Sequence, residues 1–126
     1  MLSDNRPAVL VIDDDAAVRM TLGAMVERNG YASRLAGSGD EGVRVYDRHR
    51  EEIAAVLLDV RMPGMDGPAT LVELRMRNPE LPCVFVTGFG GQYSDEELAG
   101  RGAVVLSKPV GLVDLDRALR AASGRN

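Results

Sequence analysis

Ala8-Val9-Leu10-Val11-Ile12-Asp13-Asp14-Asp15 is five apolar residues, three of them β-branched, ending abruptly in three carboxylates. An unbroken run of this length, without the alternation of a half-exposed strand, is the pattern of a central strand covered on both faces, and such strands belong to parallel sheets. Three later runs end in the same way: Leu58 passes into Asp59, Val86 into Thr87, and Leu106-Ser107 into Lys108. In an open parallel sheet, ligands lie beyond the carboxyl ends of the strands, where the winding reverses. The four runs therefore predict one crevice lined by three carboxylates, a hydroxyl and an ammonium.

The stretches between the runs read as helices. Val18, Leu22, Met25 and Val26 recur at helical spacing after Asp15, a favourable N-cap, and Asn29-Gly30 stops them. Tyr31 to Ala36 is a more polar strand suited to a sheet edge. Ser38-Gly39-Asp40-Glu41 has the capping-box pattern before Val43, Val45 and Tyr46. Ile53 to Leu58 is the third strand. Asp66-Gly67-Pro68 opens a helix that carries Leu71, Val72 and Leu74 and is closed by Asn78-Pro79, and Val84 to Val86 makes the fourth strand. Ser94-Asp95-Glu96-Glu97 opens a short fourth helix, Ala103 to Leu106 is the fifth strand, and Leu112, Leu115, Ala118 and Leu119 form the inner face of the last helix. Five strand–helix alternations imply right-handed crossovers and helices on both faces, a doubly wound α/β fold with a five-stranded parallel sheet. At 126 residues the expectation is a single domain over 1–126, with its core over about 8–122 and no output domain of its own.

Composition narrows the function. A net charge of −4, with basic residues scattered along the chain, gives no electrostatic footprint for direct nucleic-acid binding. No segment is apolar enough to span a membrane, and Met1 to Pro7 carries no cleavage-site pattern. The single cysteine, Cys83, sits in an apolar strand and cannot form an internal disulfide, which fits a reducing, cytoplasmic setting. His49, the only histidine, reads as an exposed residue at a helix end.

Asp13, Asp14 and Asp59 at the ends of adjacent strands would repel strongly, by roughly 4 kcal/mol for a pair about 4 Å apart at an effective dielectric near 20. Such a cluster holds a cation or a proton. All-oxygen ligands without histidine or thiolate favour a hard ion, and few carboxylates with room for waters and a phosphate oxygen favour Mg²⁺. Asp59, alone at the end of its strand, is the natural nucleophile toward a phosphoryl group, leaving Asp14 and Asp13 to hold the ion directly or through water. Lys108, the Thr87 hydroxyl and the Gly88 N–H can reach phosphate oxygens. Asp15 and Asp66 read as helix caps.

Taken together, Val9 to Asp15, Leu57-Leu58-Asp59-Val60-Arg61-Met62-Pro63-Gly64-Met65-Asp66-Gly67, Val86-Thr87-Gly88 and Lys108-Pro109 resemble the receiver domain of two-component response regulators, from about Ala8 to Ala122. The resemblance implies strand order 2-1-3-4-5, a flavodoxin-like arrangement that is itself a standard example of a doubly wound sheet. It also implies a cis Lys108–Pro109 bond, Asp59 as phospho-acceptor, and Mg²⁺ on Asp14, Asp59 and the Arg61 carbonyl with Asp13 acting through water. Thr87 and Lys108 become the phosphate-contacting pair. The implied partners are a sensor histidine kinase or a histidine phosphotransfer protein and an unknown downstream protein, whether the chain is a stand-alone regulator or part of a longer hybrid. Such a protein catalyses only its own phosphorylation and dephosphorylation.

One departure stands out. The aromatic residue that receivers commonly carry three positions before the lysine is Val105, and a further frequent phenylalanine is Val110. A β-branched aliphatic cannot make the inward ring swing, so the signal is expected to leave through the loop after the fourth strand and through the fourth helix. Arg61 and Phe89, each two residues past a key position, are expected to tune attack of water on the phosphoryl group. Two other readings compete. One is a receiver-shaped interaction module independent of phosphate, favoured by Val105. The other is a haloacid-dehalogenase-type phosphatase, suggested by the D-x-D within Asp13–Asp15 and opposed by Ala17 and by the lack of an acidic pair after Lys108.

Overall fold

The computed structural model describes residues 5–88 and 92–124. Its elements alternate throughout: β1 (Ala8–Ile12), α1 (Ala16–Arg28), β2 (Ala32–Ala36), α2 (Gly39–His49), β3 (Ile53–Asp59), α3 (Gly67–Arg77), β4 (Cys83–Thr87), α4 (Asp95–Ala99), β5 (Val104–Ser107) and α5 (Leu112–Ala122). All strand pairs are parallel, in the order β2-β1-β3-β4-β5. The winding reverses beside β1, and this puts the ends of β1 and β3 side by side. Ile12 pairs with Leu58, so Asp13 stands level with Asp59, and Thr87 pairs with Ser107 next to Lys108.

Because side chains alternate along a strand, each central strand feeds two cores. Val9, Val11, Leu57, Val84 and Val86 pack with Leu22 and Val26 of α1 and Leu115 and Leu119 of α5. Leu10, Ile12, Val56, Leu58 and Phe85 pack on the other face with Tyr46, Leu71, Leu74 and Leu98, from α2, α3 and α4. Both edge strands are less covered, β2 with Leu35 exposed and β5 with no fully buried residue.

The helix starts form largely as their sequences require. Asp15 caps α1 through the N–H groups of Ala17 and Val18, Asp66 caps α3 through Ala69, and Ser94 with Glu97 closes a reciprocal box on α4. Ser38 caps α2 through the N–H of Glu41, but the Glu41 carboxylate accepts from Gly37 instead of closing the box on Ser38. Two further expectations are corrected, the starts of two strands and the exposure of His49. The second and fifth strands each begin one residue later than expected, at Ala32 and Val104. Val72 of α3 faces outward at 55% exposure while Thr70 turns in, because the face that meets the sheet runs through Leu71 and Leu74. His49 is half-buried, its Nδ1 2.8 Å from Glu52 Oε2. Cys83 is buried and unpaired, and burial pushes its thiol up to about 12. No described helix is long and apolar enough to cross a membrane.

Candidate functional site

At the carboxyl ends of the strands, a cavity of about 910 Å³ is lined by Asp13, Asp14, Asp59, Arg61, Gly88 and Lys108, among others. One carboxylate oxygen from each of Asp13, Asp14 and Asp59 lies within 4.8 Å of the others, the arrangement expected from the strand ends. Asp13 is fully buried and Asp59 is 5% exposed, whereas Asp14 opens to solvent. Lys108 reaches over from the end of β5, past a cis bond to Pro109, and its Nζ stands 3.2 Å from Asp13 Oδ2 and 3.3 Å from Asp59 Oδ1.

Backbone packing holds this acidic floor in place. Asp13 Oδ1 accepts from the N–H of Asp15 at 2.9 Å, and Arg19 Nη1 donates to the Asp13 carbonyl at 2.7 Å. On the neighbouring strand, Gly67 lies so close to the Asp59 backbone that a Cβ there would overlap the Asp59 carbonyl oxygen, and Gly67 N–H donates to the Val60 carbonyl at 2.9 Å. Only glycine permits that approach, which seats the start of α3 directly against Asp59.

The electrostatics fit a cation site. Burial, with the Asp13 charge beside it, pushes the Asp59 carboxyl up to about 6, against the opposing pull of Lys108. Burial alone would lower the Lys108 ammonium, but the carboxylates of Asp59 and Asp13 outweigh it and raise it, so the lysine stays charged. Asp13 Oδ2 is buried and, among the described residues, makes no hydrogen bond of proper angle, although Lys108 is within ion-pair distance. A buried carboxylate oxygen with spare lone pairs, facing two further carboxylates, is a donor set suited to a hard divalent ion.

Thr87, at the end of β4, is not among the described residues that line the cavity; its hydroxyl donates to the Gly88 carbonyl at 3.1 Å. Phe89, with Gly90 and Gly91, lies outside the described residues. Two features carry no sequence signal. Tyr93 donates its hydroxyl to Asp66 Oδ2 at 2.8 Å across 27 residues, and Arg19 braces Asp13; neither follows from periodicity or from a local motif.

The fold and this floor define a class, a doubly wound α/β domain with an acidic pocket at the β1/β3 switch point. The particular family follows from comparison: the family model for the response regulator receiver domain matches residues 9–120, and the chain belongs to that family. Sensor kinase CckA of Brucella abortus is 38% identical over 81 residues, 64% of this chain and 9% of its own length. Transcriptional regulatory protein ZraR of Escherichia coli is 35% identical over 116 residues, 90% of this chain and 26% of its own. The chain thus spans less than a third of the length of either relative. Among solved structures, a response regulator receiver domain protein from Clostridium thermocellum superposes with a TM-score of 0.86 at 28% identity, covering 94% of both chains. Membership removes the phosphatase reading.

Proposed function

We propose that the chain receives a phosphoryl group on Asp59 from a sensor histidine kinase or a histidine phosphotransfer protein, and thereby changes its affinity for a downstream protein partner. The single observation that carries this is the convergence of Asp13, Asp14 and Asp59 around the Lys108 ammonium at the end of the central strands. With its carboxyl at about 6, Asp59 is mostly ionised at neutral pH, and burial has stripped it of the hydration that would blunt a nucleophile. One of its oxygens bonds to phosphorus as the donor's P–N bond breaks, and the imidazole leaves with the electron pair. Lys108, held between Asp13 and Asp59, is placed to exchange its carboxylate contact for a phosphoryl oxygen. Thr87 contributes only after its hydroxyl turns from the Gly88 carbonyl toward the acyl phosphate.

Asp14, Asp59 and the Arg61 carbonyl, with Asp13 through water, are the residues proposed to hold Mg²⁺. When bound, the ion neutralises the charge that builds on the transferred phosphoryl oxygens. On this reading the domain catalyses only its own phosphorylation and dephosphorylation. A cytoplasmic setting accords with the lone unpaired cysteine and with a kinase donor.

Intact mass after incubation with acetyl phosphate and Mg²⁺ tests the reading. One added phosphate is expected on the natural sequence and none on Asp59→Asn, with labelling lost in EDTA. No adduct on the natural sequence under these conditions would favour the phosphate-independent interaction module.

A further inference from the structure

The Tyr93–Asp66 contact spans the mouth of the acidic cavity, and both residues line it. Asp66 cannot move freely. Its Oδ1 caps α3 through Ala69, its carbonyl accepts from the Thr70 hydroxyl at 2.7 Å, and the next residue, Gly67, is wedged on the Asp59 backbone. Tyr93 is attached to the other side of the site. It lies six residues after Thr87 and immediately before the Ser94 cap of α4. The Arg101 guanidinium sits 5.6 Å from its ring centre. The Arg101 carbonyl in turn accepts from Arg75 of α3. One phenol hydroxyl therefore joins the part of the molecule anchored on Asp59 to the part that continues from Thr87 into α4.

We propose that this hydrogen bond is a latch of the unphosphorylated state, broken when Asp59 is phosphorylated, so that Tyr93 couples the site to α4 in a chain whose usual aromatic position is Val105. The inference rests on the phospho-acceptor reading above. Thr87, in turning toward a phosphoryl group, gives up its Gly88 carbonyl contact and pulls on the chain that leads to Tyr93, while Asp66 stays pinned through α3. A 2.8 Å hydrogen bond tolerates only a few tenths of an ångström before it weakens. A contact made in one state only biases the equilibrium toward that state.

The test uses Tyr93→Phe, which keeps the ring beneath Arg101, and Asp66→Ser, which keeps a capping oxygen but is too short for the phenol. With Mg²⁺ present, each variant is expected to bind the phosphoryl analogue beryllofluoride about three- to tenfold more tightly than the natural sequence, the size of one hydrogen bond to a charged acceptor at a half-exposed site. The double variant should bind no tighter than either single one. In 3-fluorotyrosine-labelled protein, the ¹⁹F line lost in Tyr93→Phe should move on beryllofluoride addition, while the lines of Tyr31 and Tyr46 move less. A purely structural contact would lower the melting temperature of Tyr93→Phe yet leave beryllofluoride affinity unchanged. Equal affinities, weaker binding by Tyr93→Phe or an unmoved Tyr93 line would each overturn the latch. The acetyl phosphate adduct measured on the same samples separates the two claims: if the natural sequence takes no phosphate, the phospho-acceptor reading falls and the latch with it, whereas an adduct with unchanged affinities sinks the latch alone.

Discussion

The two halves of the sheet are built to different standards. On the β1/β3 side the strands are buried almost throughout, Asp13 is pinned by Asp15 and Arg19, and α3 is pressed against Asp59 through Gly67. On the other side, beyond the fully buried β4, β5 has no buried residue, α4 is only five residues long, and among the described residues the Thr87 hydroxyl bonds to its neighbour's carbonyl. Crowded carboxylates need a floor that cannot relax, because movement would relieve the repulsion that makes them bind a cation. A group that answers to the added phosphate needs the opposite, few contacts to break. The difference divides the molecule into a tightly packed half that holds the charge and a half with fewer contacts to break, the one the proposed switch would move.

The largest test of that division is packing. Leu58→Ala empties a fully buried position on β3 and is expected to cost about 3–4 kcal/mol in urea unfolding, while Val105→Ala, on the partly exposed β5, should cost about 1 kcal/mol. Comparable losses at the two sites would mean that β5 is as tightly integrated as β3, and the contrast would fail.

A smaller effect probes the charge. Asp59 binds its proton more tightly when folded, with a carboxyl at about 6 against roughly 3.9 for an unfolded chain. Its contribution to stability is therefore fully present below about pH 4 and is lost as pH rises through about 6, where the folded state must hold an extra buried charge. Asp59→Asn escapes that loss. In chelator at pH 7.5 it should be about 1–2 kcal/mol more stable than the natural sequence, below the roughly 3 kcal/mol that a two-unit gap allows, because Lys108 loses one of its two carboxylate partners. The advantage should shrink between pH 6 and 4, and added Mg²⁺ should stabilise the natural sequence more than the variant. A pH-independent gap would place the repulsion elsewhere than at Asp59.

The elements of both halves were legible in the residues, and the contacts between their loops were not. Strands buried on both faces announce themselves by unbroken apolar runs, and the carboxylates after Ile12 and Leu58 meet because parallel strands end on the same side of a sheet. Caps such as Asp15, Asp66 and Ser94 act on backbone two or three residues away, so their signal is local. The Tyr93–Asp66 bond and the reach of Arg75 to the α4–β5 turn depend instead on where two loops happen to pass, and no period records that. Which face of α3 docks is not a local matter either: Val72 sits beside Leu71, yet the stripe that meets the sheet runs through Leu71 and Leu74 and leaves Val72 outside.

The smallest effect is the sharpest on α4. Five residues are far too few for a helix to persist alone, so α4 stands on its capping box and on the burial of Leu98. Ser94→Ala removes the oxygen that accepts from the Glu97 N–H at 3.1 Å, a change worth about 1 kcal/mol where the helix is exposed. If α4 opens by itself, as a separate low-stability unit, that energy appears in its own opening equilibrium: amide exchange at Leu98 and Ala99 should speed up about fivefold, with the urea midpoint of the whole domain nearly unchanged. If α4 instead melts only with the sheet, the midpoint shifts by the full amount and exchange across β1 and β3 accelerates in step. The first result would make α4 a helix that can be released without disturbing the acidic floor, as a response carried through Tyr93 requires; the second would weld the two halves into one cooperative block.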